Sequence, residues 1–335
     1  MPPSANHIPG IREWDTPQGW HVAELHYSCD PAQRGPNWAE ETRKALGYSQ
    51  VDWDREMEID WTAGLGACYF DKEVLHNHYS RKAGGPSYRG VMLEEGKAPV
   101  FETRAGGPVW VWRLPERVAG PRNRRKHYNR YCIGADVAEG LEKGDASAAY
   151  VVDRLRYELV AAVHCRLSPD RFAEMLNLLG RYYSEPDLGP YEVAMLGVES
   201  NNHGHTVLSD LSTKHKYPRL FAQVRGQSAE RRLGWFTSSK TKPVMVDYLA
   251  KVIREKELVL HDKALVGEML TFIQAANGDL GATGGDHDDR VMAAAIALQM
   301  HKLSPAVRPY VVERGGVLAD LRRSGSGEAA AWVAV

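Results

Sequence analysis

The chain has 335 residues, of which 43% are hydrophobic and 25% charged, with a formal net charge of −1; this suits one large or two ordinary soluble globular domains. Cys29, Cys68, Cys132 and Cys165 are widely scattered and form no C-x-x-C pair, which argues against a zinc site or a disulfide framework and for a reducing compartment. No apolar run approaches the roughly 18 residues needed to span a bilayer, and Met1-Pro2-Pro3-Ser4 opens no signal-peptide core, so no membrane role is expected.

In chain order, Asn37–Leu46 has helical spacing with Gly47 as its stop, and Trp53–Trp61 is a second amphipathic stretch. The segment from Gly84 to Gly107 is rich in Gly and Pro, with short strand-like runs at Pro99–Phe101 and Val109–Arg113. The basic stretch P-R-N-R-R-K-H-Y-N-R (121–130) reads as a linker and places a domain boundary there. Three β segments follow at hairpin spacing, Tyr131–Asp136, Ala146–Asp153 and Tyr157–Cys165. Ser168-Pro169 starts a helix that runs to Tyr183. Val193–Glu199 is a fourth strand, followed by a short helix over Thr206–Leu211 and a strand near Leu220–Val224. The stretch up to Lys242 is read as a hairpin, and helices follow at about Val244–Glu255, Ala264–Leu270 and His287–His301. The tail after Arg322 reads as a mobile terminus.

This order describes an α/β ribonuclease H-like domain: three antiparallel strands extended by parallel strands, flanked by helices. A small mixed α/β region precedes it. The expected division is 1–120, the linker 121–130, the ribonuclease H-like domain 131–305 and the tail 306–335. The seven tryptophans before residue 113 read chiefly as core, with a docking face as the alternative.

Three acidic positions stand at the ends of apolar segments. Asp136 closes Y-C-I-G-A-D, Glu199 closes V-A-M-L-G-V-E, and Asp288 or Asp289 lies in G-G-D-H-D-D-R at the head of an alanine-rich helix. In a ribonuclease H-like sheet the first and fourth strands are neighbours and the last helix crosses them, so these acids converge. An all-oxygen cluster suits Mg²⁺ or Mn²⁺, and two such ions about 3.5–4 Å apart clamp the attacking and leaving oxygens of a phosphodiester. Each acid also has a plainer use: Asp136 as a turn residue, and Asp286, Asp288 and Asp289 as helix caps. Capping does not account for three acids within four residues, which repel one another unless a cation is present. The small residues of 291–298 allow the helix backbone to approach the sheet closely. His203, His205 and His287 flank the acids and are read as polar loop residues or as proton or metal partners.

Charge is unevenly distributed. Residues 1–120 carry 13 basic and 17 acidic side chains, 121–130 carry five basic and none acidic, and 211–242 hold eight Lys/Arg against Glu230 alone. Lys214, Lys216, Arg225, Arg231, Arg232, Lys240 and Lys242 in that last stretch form a basic stripe suited to phosphate contact, or else a solvated loop face.

With these motifs in place the chain resembles the large terminase subunit of tailed bacteriophages, in its C-terminal nuclease half. The resemblance rests on residues 131–153, G-V-E-S-N-N-H-G (197–204), G-W-F-T-S-S-K-T-K-P (234–243) and D-H-D-D-R-V-M-A-A-A-I-A (286–297). Upstream, A-E-L-H-Y-S-C-D-P (23–31) and D-W-D-R-E-M-E-I-D (52–60) are similar to the stretch joining motor to nuclease. It implies a two-metal endonuclease that cuts concatemeric double-stranded DNA during head filling in the cytoplasm of an infected bacterium. Asp136, Glu199 and Asp289 match the metal-binding acids, with Asp288 a close second. It also implies a partner: a separate ATPase motor, a portal or a small terminase subunit. No G-x-x-x-x-G-K-[ST] run occurs, and too few residues precede the joining segment to hold a motor, so a separately encoded subunit, a truncated product or an excised piece is expected. Rival readings are another ribonuclease H-like nuclease, such as a resolvase or transposase, and a non-catalytic DNA-binding scaffold.

Overall fold

Contacts divide the chain between Ala67 and Cys68, well before the basic stretch at 121–130. The computed structural model describes residues 10–15, 20–33, 35, 37–48, 53, 57–58, 68–116, 126–141, 145–185, 188–189, 191–225, 230–275, 278–282 and 287–309. Most of the stretch 53–61, the basic run 121–125, Asp286 and the tail after Arg322 lie outside these residues.

In the first unit, strands β1 (Ile11–Asp15) and β2 (His21–Leu25) pair antiparallel, with Ile11 opposite Leu25. Helix α1 (Trp38–Leu46) ends at Gly47, whose φ of 68° is the left-handed stop that glycine adopts without strain. The Glu58 carboxylate accepts hydrogen bonds from Tyr27 (2.9 Å) and from the Trp53 indole (3.0 Å), and Tyr27 stacks on Trp38 at 5.0 Å. Trp53 is buried, while Trp14 and Trp20 stand exposed. Core packing therefore accounts for some of these tryptophans and not for others.

The second unit is built on one sheet in the order β10-β7-β8-β9-β5-β3-β4. In chain order these strands are β3 (Tyr88–Glu95), β4 (Ala98–Thr103) and β5 (Val109–Val111), then, after the short β6 (His127–Tyr128), β7 (Tyr131–Asp136), β8 (Ser147–Asp153), β9 (Glu158–Cys165) and β10 (Met195–Val198). β7, β8 and β9 form the expected antiparallel meander, and β10 runs parallel to β7. Beyond β10 the sheet is continued by parallel bridges at Leu220 and Trp235 rather than by a full strand. β5 pairs with β9 and carries β3 and β4 with it. The segments before residue 121 thus extend the same sheet, and the basic stretch interrupts one unit instead of joining two. β3 falls in the Gly/Pro-rich stretch where the sequence gives no strand. Its pairing rests on Gly90 and Gly107, at each of which a Cβ would strike backbone about 2 Å away (Glu102 O at 2.0 Å, Gly90 O at 2.1 Å).

Residues alternate between the two faces of this sheet. Ile133, Ala135, Ala149, Val151 and Val163 pack against helices α2 (Pro169–Tyr182) and α3 (Gly204–Thr213). Cys132, Ala148, Tyr150 and Val152 face the opposite layer of α4 (Thr241–Arg254), α5 (Lys263–Thr271) and α6 (Asp289–Leu303). Two small hairpins complete the unit: β11 (Ala222–Arg225) with β12 (Glu230–Leu233), as expected, and β13 (Phe272–Gln274) with β14 (Leu280–Ala282). A short strand β15 (Arg308–Pro309) pairs with β6.

α6 is buried along its length from Asp289 to Met300, which explains its small residues on every side. Its approach to the sheet is set by Gly134, where a Cβ would lie 2.0 Å from the Ala297 nitrogen and 2.6 Å from the Ala293 carbonyl oxygen. The far end of α6 is tied down by Arg154. Its guanidinium donates to the carbonyls of Asn129 (2.6 Å), Pro305 (2.8 Å), His301 (3.1 Å) and Ser304 (3.2 Å), and so satisfies carbonyls that a helix C-terminus leaves open. Beneath the start of β7, the fully buried Arg130 side chain lies 2.7 Å from both Asp153 and Glu116.

The glycine contacts make a paired prediction. Gly134→Ala is expected to destabilise the protein by about 1–3 kcal/mol through overpacking. Gly267→Ala, in α5 with nothing within 4 Å of the new methyl, is expected to stabilise it by about 0.5–1 kcal/mol. Urea unfolding of the two variants reads both, and equal effects at the two sites would remove the close-approach argument.

Candidate metal centre

Asp136 is the last residue of β7, and Glu199 follows β10 by one residue. Parallel register places Val198 beside Ala135, and the Glu199 N–H donates to the Ala135 carbonyl at 2.8 Å. The two carboxyls therefore leave neighbouring strands at one level, within hydrogen-bonding reach of each other. The Glu199 backbone is held on its other side too: Trp235 N–H donates to Val198 O and Ser200 N–H to Trp235 O, both at 2.7 Å. The chain then folds back tightly enough that a Cβ on Gly204 would meet the Glu199 carbonyl oxygen at 1.8 Å. Asn201 donates its side-chain N–H to Glu199 Oε1 at 3.0 Å.

The third position follows from the contact at Gly134. Asp289 is one helical turn above Ala293, a rise of about 6 Å, and Asp136 is two strand residues beyond Gly134, about 6.6 Å. The matched rises bring the head of α6 level with the end of β7. Asp288 and Asp289 both act electrostatically on Asp136. Asp289 is 8% exposed, and its Oδ2 accepts the Ala146 N–H at 3.1 Å.

Capping does not explain these two aspartates. Asp288 stands at the N-cap position and makes no side-chain cap hydrogen bond. The first turn of α6 is capped from another helix: Glu268 of α5 accepts the Arg290 N–H at 2.9 Å, and its other oxygen lies 3.1 Å from Arg290 Nε. Arg290 also lies 3.7 Å from Asp262 and stacks over Trp110 at 5.1 Å. These contacts fix the helix head and leave the aspartate carboxylates for other use. Burial pushes Glu268 up to about 8, in spite of Arg290.

The acids face a cavity of about 360 Å³ lined by Asp136, Glu139, Asp145, His203, Asp288 and Asp289, with Val137, Ala138 and Ala146. Glu139 and Asp145 come from the β7–β8 loop, which the sequence offers only as a turn. His287 is occupied by Asp145 at 3.1 Å, His203 lies 3.8 Å from Glu139, and His205 lines a separate cavity with Arg232. Among the described residues, no three His, Cys, Asp or Glu side chains already stand in coordinating geometry about one point. The donor set nevertheless fits a hard divalent cation, because it consists of carboxylate oxygens around an open cavity. It also carries the charge that such a cation would neutralise. Burial, then the Glu199 charge and hydrogen bond, then Asp289 and Asp288, hold Asp136 well above the usual carboxylate range. Burial, with Asp145 and Asp288 adding to it, raises Asp289 to about 6.

The basic stripe divides. Arg219 serves the fold, donating to Val193 O and Asn129 Oδ1. Lys214 and Lys216 are exposed beyond the far end of α3, about 15 Å from its start beside Glu199 at 1.5 Å per residue. Arg231 and Arg232 are exposed on β12, where successive side chains point to opposite faces. Arg225 stands opposite Glu230 in register. Lys240 is exposed just before α4. Lys242 is drawn into the acids, its Nζ 3.4 Å from Asp288 Oδ2.

A sequence profile described as the terminase RNaseH-like domain matches residues 133–301. The chain belongs to this family. No curated protein matches it. Among solved structures, the large terminase nuclease from thermophilic phage G20c is 19% identical, with 63% of this chain and 93% of that one covered and a TM-score of 0.42. The large terminase nuclease domain of Thermus phage P74-26 is 18% identical over 63% and 90%, with a TM-score of 0.41. The human cytomegalovirus terminase nuclease domain is 12% identical over 59% and 94%, with a TM-score of 0.39. No helix among the described residues is long and apolar enough to cross a membrane.

Stability in the absence of metal tests the crowding of the acids. A carboxyl whose folded pKa lies above its unfolded value near 4 favours the folded state while it is protonated. For Asp289 that contribution is full below about pH 4 and is lost as pH rises through about 6. Wild type is therefore expected to lose about 2–3 kcal/mol relative to Asp289→Asn between pH 4 and 7, read by urea unfolding in EDTA. Parallel profiles for the two proteins would show that the carboxyl is not strained.

Proposed function

We propose that the chain is a metal-dependent endodeoxyribonuclease of the terminase type, which cuts concatemeric viral DNA during genome packaging. The observation that carries this reading is the open cavity lined by Asp136, Asp288 and Asp289, with Glu199 beside Asp136 at the end of the neighbouring strand. Family membership supports it independently. Asp136, Glu199 and Asp289 would hold two divalent cations, Mg²⁺ or Mn²⁺, with Asp288 at the rim. When bound, such ions supply a hydrolytic water of lowered pKa and charge stabilisation at the scissile phosphate.

The chain's own residues have defined tasks in this reading. Asp136, between the other two acids, keeps the donors at one level because β7 is the sheet strand against which α6 packs. Asn201 orients the Glu199 carboxylate. The Ala146 N–H holds one oxygen of Asp289 and leaves the other for a ligand. No side chain is asked to attack phosphorus. Arg231, Arg232 and Lys240, on the side of the sheet joined to Glu199 through Trp235, would hold the DNA backbone by charge, so binding should tolerate sequence and weaken with salt. Lys214, Lys216 and Arg225 would extend this footprint. In the proposed setting, the cytoplasm of an infected bacterium, an ATPase motor, a portal and a small terminase subunit would present the DNA.

Cleavage of supercoiled plasmid by the full chain in Mn²⁺, Mg²⁺ or EDTA tests the reading. We expect metal-dependent nicking and linearisation, a loss of at least about 100-fold in rate for Asp136→Ala, and retained DNA binding by that variant. Wild-type cutting rates in Asp136→Ala would sink the assignment. Doubly substituted Arg231→Ala/Arg232→Ala is expected to bind DNA more weakly with a shallower salt dependence, by about one to two ions released; an unchanged slope would remove the hairpin from the interface.

A further inference from the structure

The segment G-W-F-T-S-S-K-T-K (234–242) spans the acid cluster from one side to the other. At its start Trp235 pairs with the backbone on either side of Glu199. Gly234 has a φ of +87°, and a Cβ there would lie 2.7 Å from Val198 O, so the crossing is fixed. The middle is a rigid turn. Thr241 Oγ1 donates to Phe236 O (2.7 Å), the Ser238 N–H donates to Thr241 Oγ1 (2.8 Å), and the Lys242 N–H donates to Ser238 O (2.8 Å). At its end Lys242 reaches Asp288 with both side chains a little over one quarter exposed. One short, internally braced segment thus connects the backbone at Glu199 to the carboxylate of Asp288.

This contact places a positive charge at the rim of the acids. A lysine ammonium is a compact, strongly hydrated charge on a flexible four-carbon stem. It can neutralise a carboxylate in the absence of metal, but a divalent cation held by the neighbouring Asp136, Glu199 and Asp289 repels it. Asp288 also lines the adjoining cavity, so the contact lies at the edge of the site. Among the described residues of the basic stripe, Lys242 is the one that pairs with an acid of the cluster.

We propose that Lys242 is a tethered cation that neutralises the rim of the acid cluster at Asp288 until metal enters, and that its ammonium then engages a phosphate of the bound DNA strand. Metal loading and substrate capture are coupled through this one side chain. The proposal rests on the nuclease reading for its second half and on the Lys242–Asp288 contact alone for its first.

The test compares wild type, Lys242→Ala, Lys242→Arg and Asp136→Ala as full chains. Mn²⁺ titrations without DNA, followed by thermal shift, read metal binding and need no activity. Removing the competing ammonium is expected to lower the Mn²⁺ midpoint about 3–5-fold in Lys242→Ala. Single-turnover plasmid cleavage at saturating Mn²⁺ is expected to fall about 10–100-fold in the same variant, the loss of one charged hydrogen bond to phosphate, with partial rescue in Lys242→Arg. An unchanged midpoint overturns the competition, and an unchanged cleavage rate overturns the substrate contact; either result defeats the coupling. Cutting that is lost in Asp136→Ala but intact in Lys242→Ala leaves the nuclease reading standing without this proposal. If no variant cuts in any metal, the nuclease reading fails, while the midpoints still decide the competition.

Discussion

Everything at the acid cluster depends on how closely α6 lies against β7. Gly134 is the residue that permits it, since a methyl there would lie 2.0 Å from the Ala297 nitrogen. The alanines of α6 answer it from the other side, and the helix is buried among β7, β8, α4 and α5. Once that contact is made, the rise of a helix and the rise of a strand do the remaining work. One turn up α6 and two residues up β7 arrive at the same level, where Asp289 and Asp136 meet. The parallel pairing of β10 with β7 adds Glu199 by the same logic of register.

The resulting cluster opposes the stability of the domain that holds it. Burial and the neighbouring carboxylates raise the pKa of Asp136 and Asp289, and the chain tolerates this because the surrounding structure fixes their backbones more firmly than the repulsion can move them. Glu268 caps α6 in place of Asp288, Arg154 closes the opposite end of the helix, and Arg290 ties its head to Asp262 and Trp110. Rigidity at both helix ends is what allows negative charge to collect at one of them. Binding sites commonly carry such strain where a ligand is meant to relieve it.

Much of this was legible in the sequence. The strands from Tyr131 to Cys165 and the strand ending near Glu199 are short apolar runs, and the last helix is rich in small residues, so the acids at their ends could be named. What the residues could not convey is non-local. The strand Tyr88–Glu95 hides in a Gly/Pro-rich stretch because its glycines serve close pairing with β4 and β5 rather than turns. The same pairing joins residues before 121 to the nuclease sheet, so a run of basic residues that looks like a linker interrupts one unit. The capping role of Glu268 has no signature in sequence, since it comes from twenty residues upstream on another helix. The basic stripe was visible as composition, but Arg219 turned out to hold the Val193 carbonyl and the Asn129 side chain, and Lys242 to hold Asp288. Glu139 and Asp145 line the cavity from the two ends of the β7–β8 connection, which hairpin spacing alone does not announce.

In the proposed function, Asp136, Glu199 and Asp289 would form one divalent-cation site, built by the close approach of α6 to β7. The most direct measurement is a crystal structure of the full chain soaked in Mn²⁺, with anomalous scattering to locate the ions. The account predicts anomalous density between these three carboxylates, within about 2.0–2.3 Å of their oxygens, with Gly134 still against Ala297. Mn²⁺ bound elsewhere, or the three acids turned apart with the cavity empty, would contradict it.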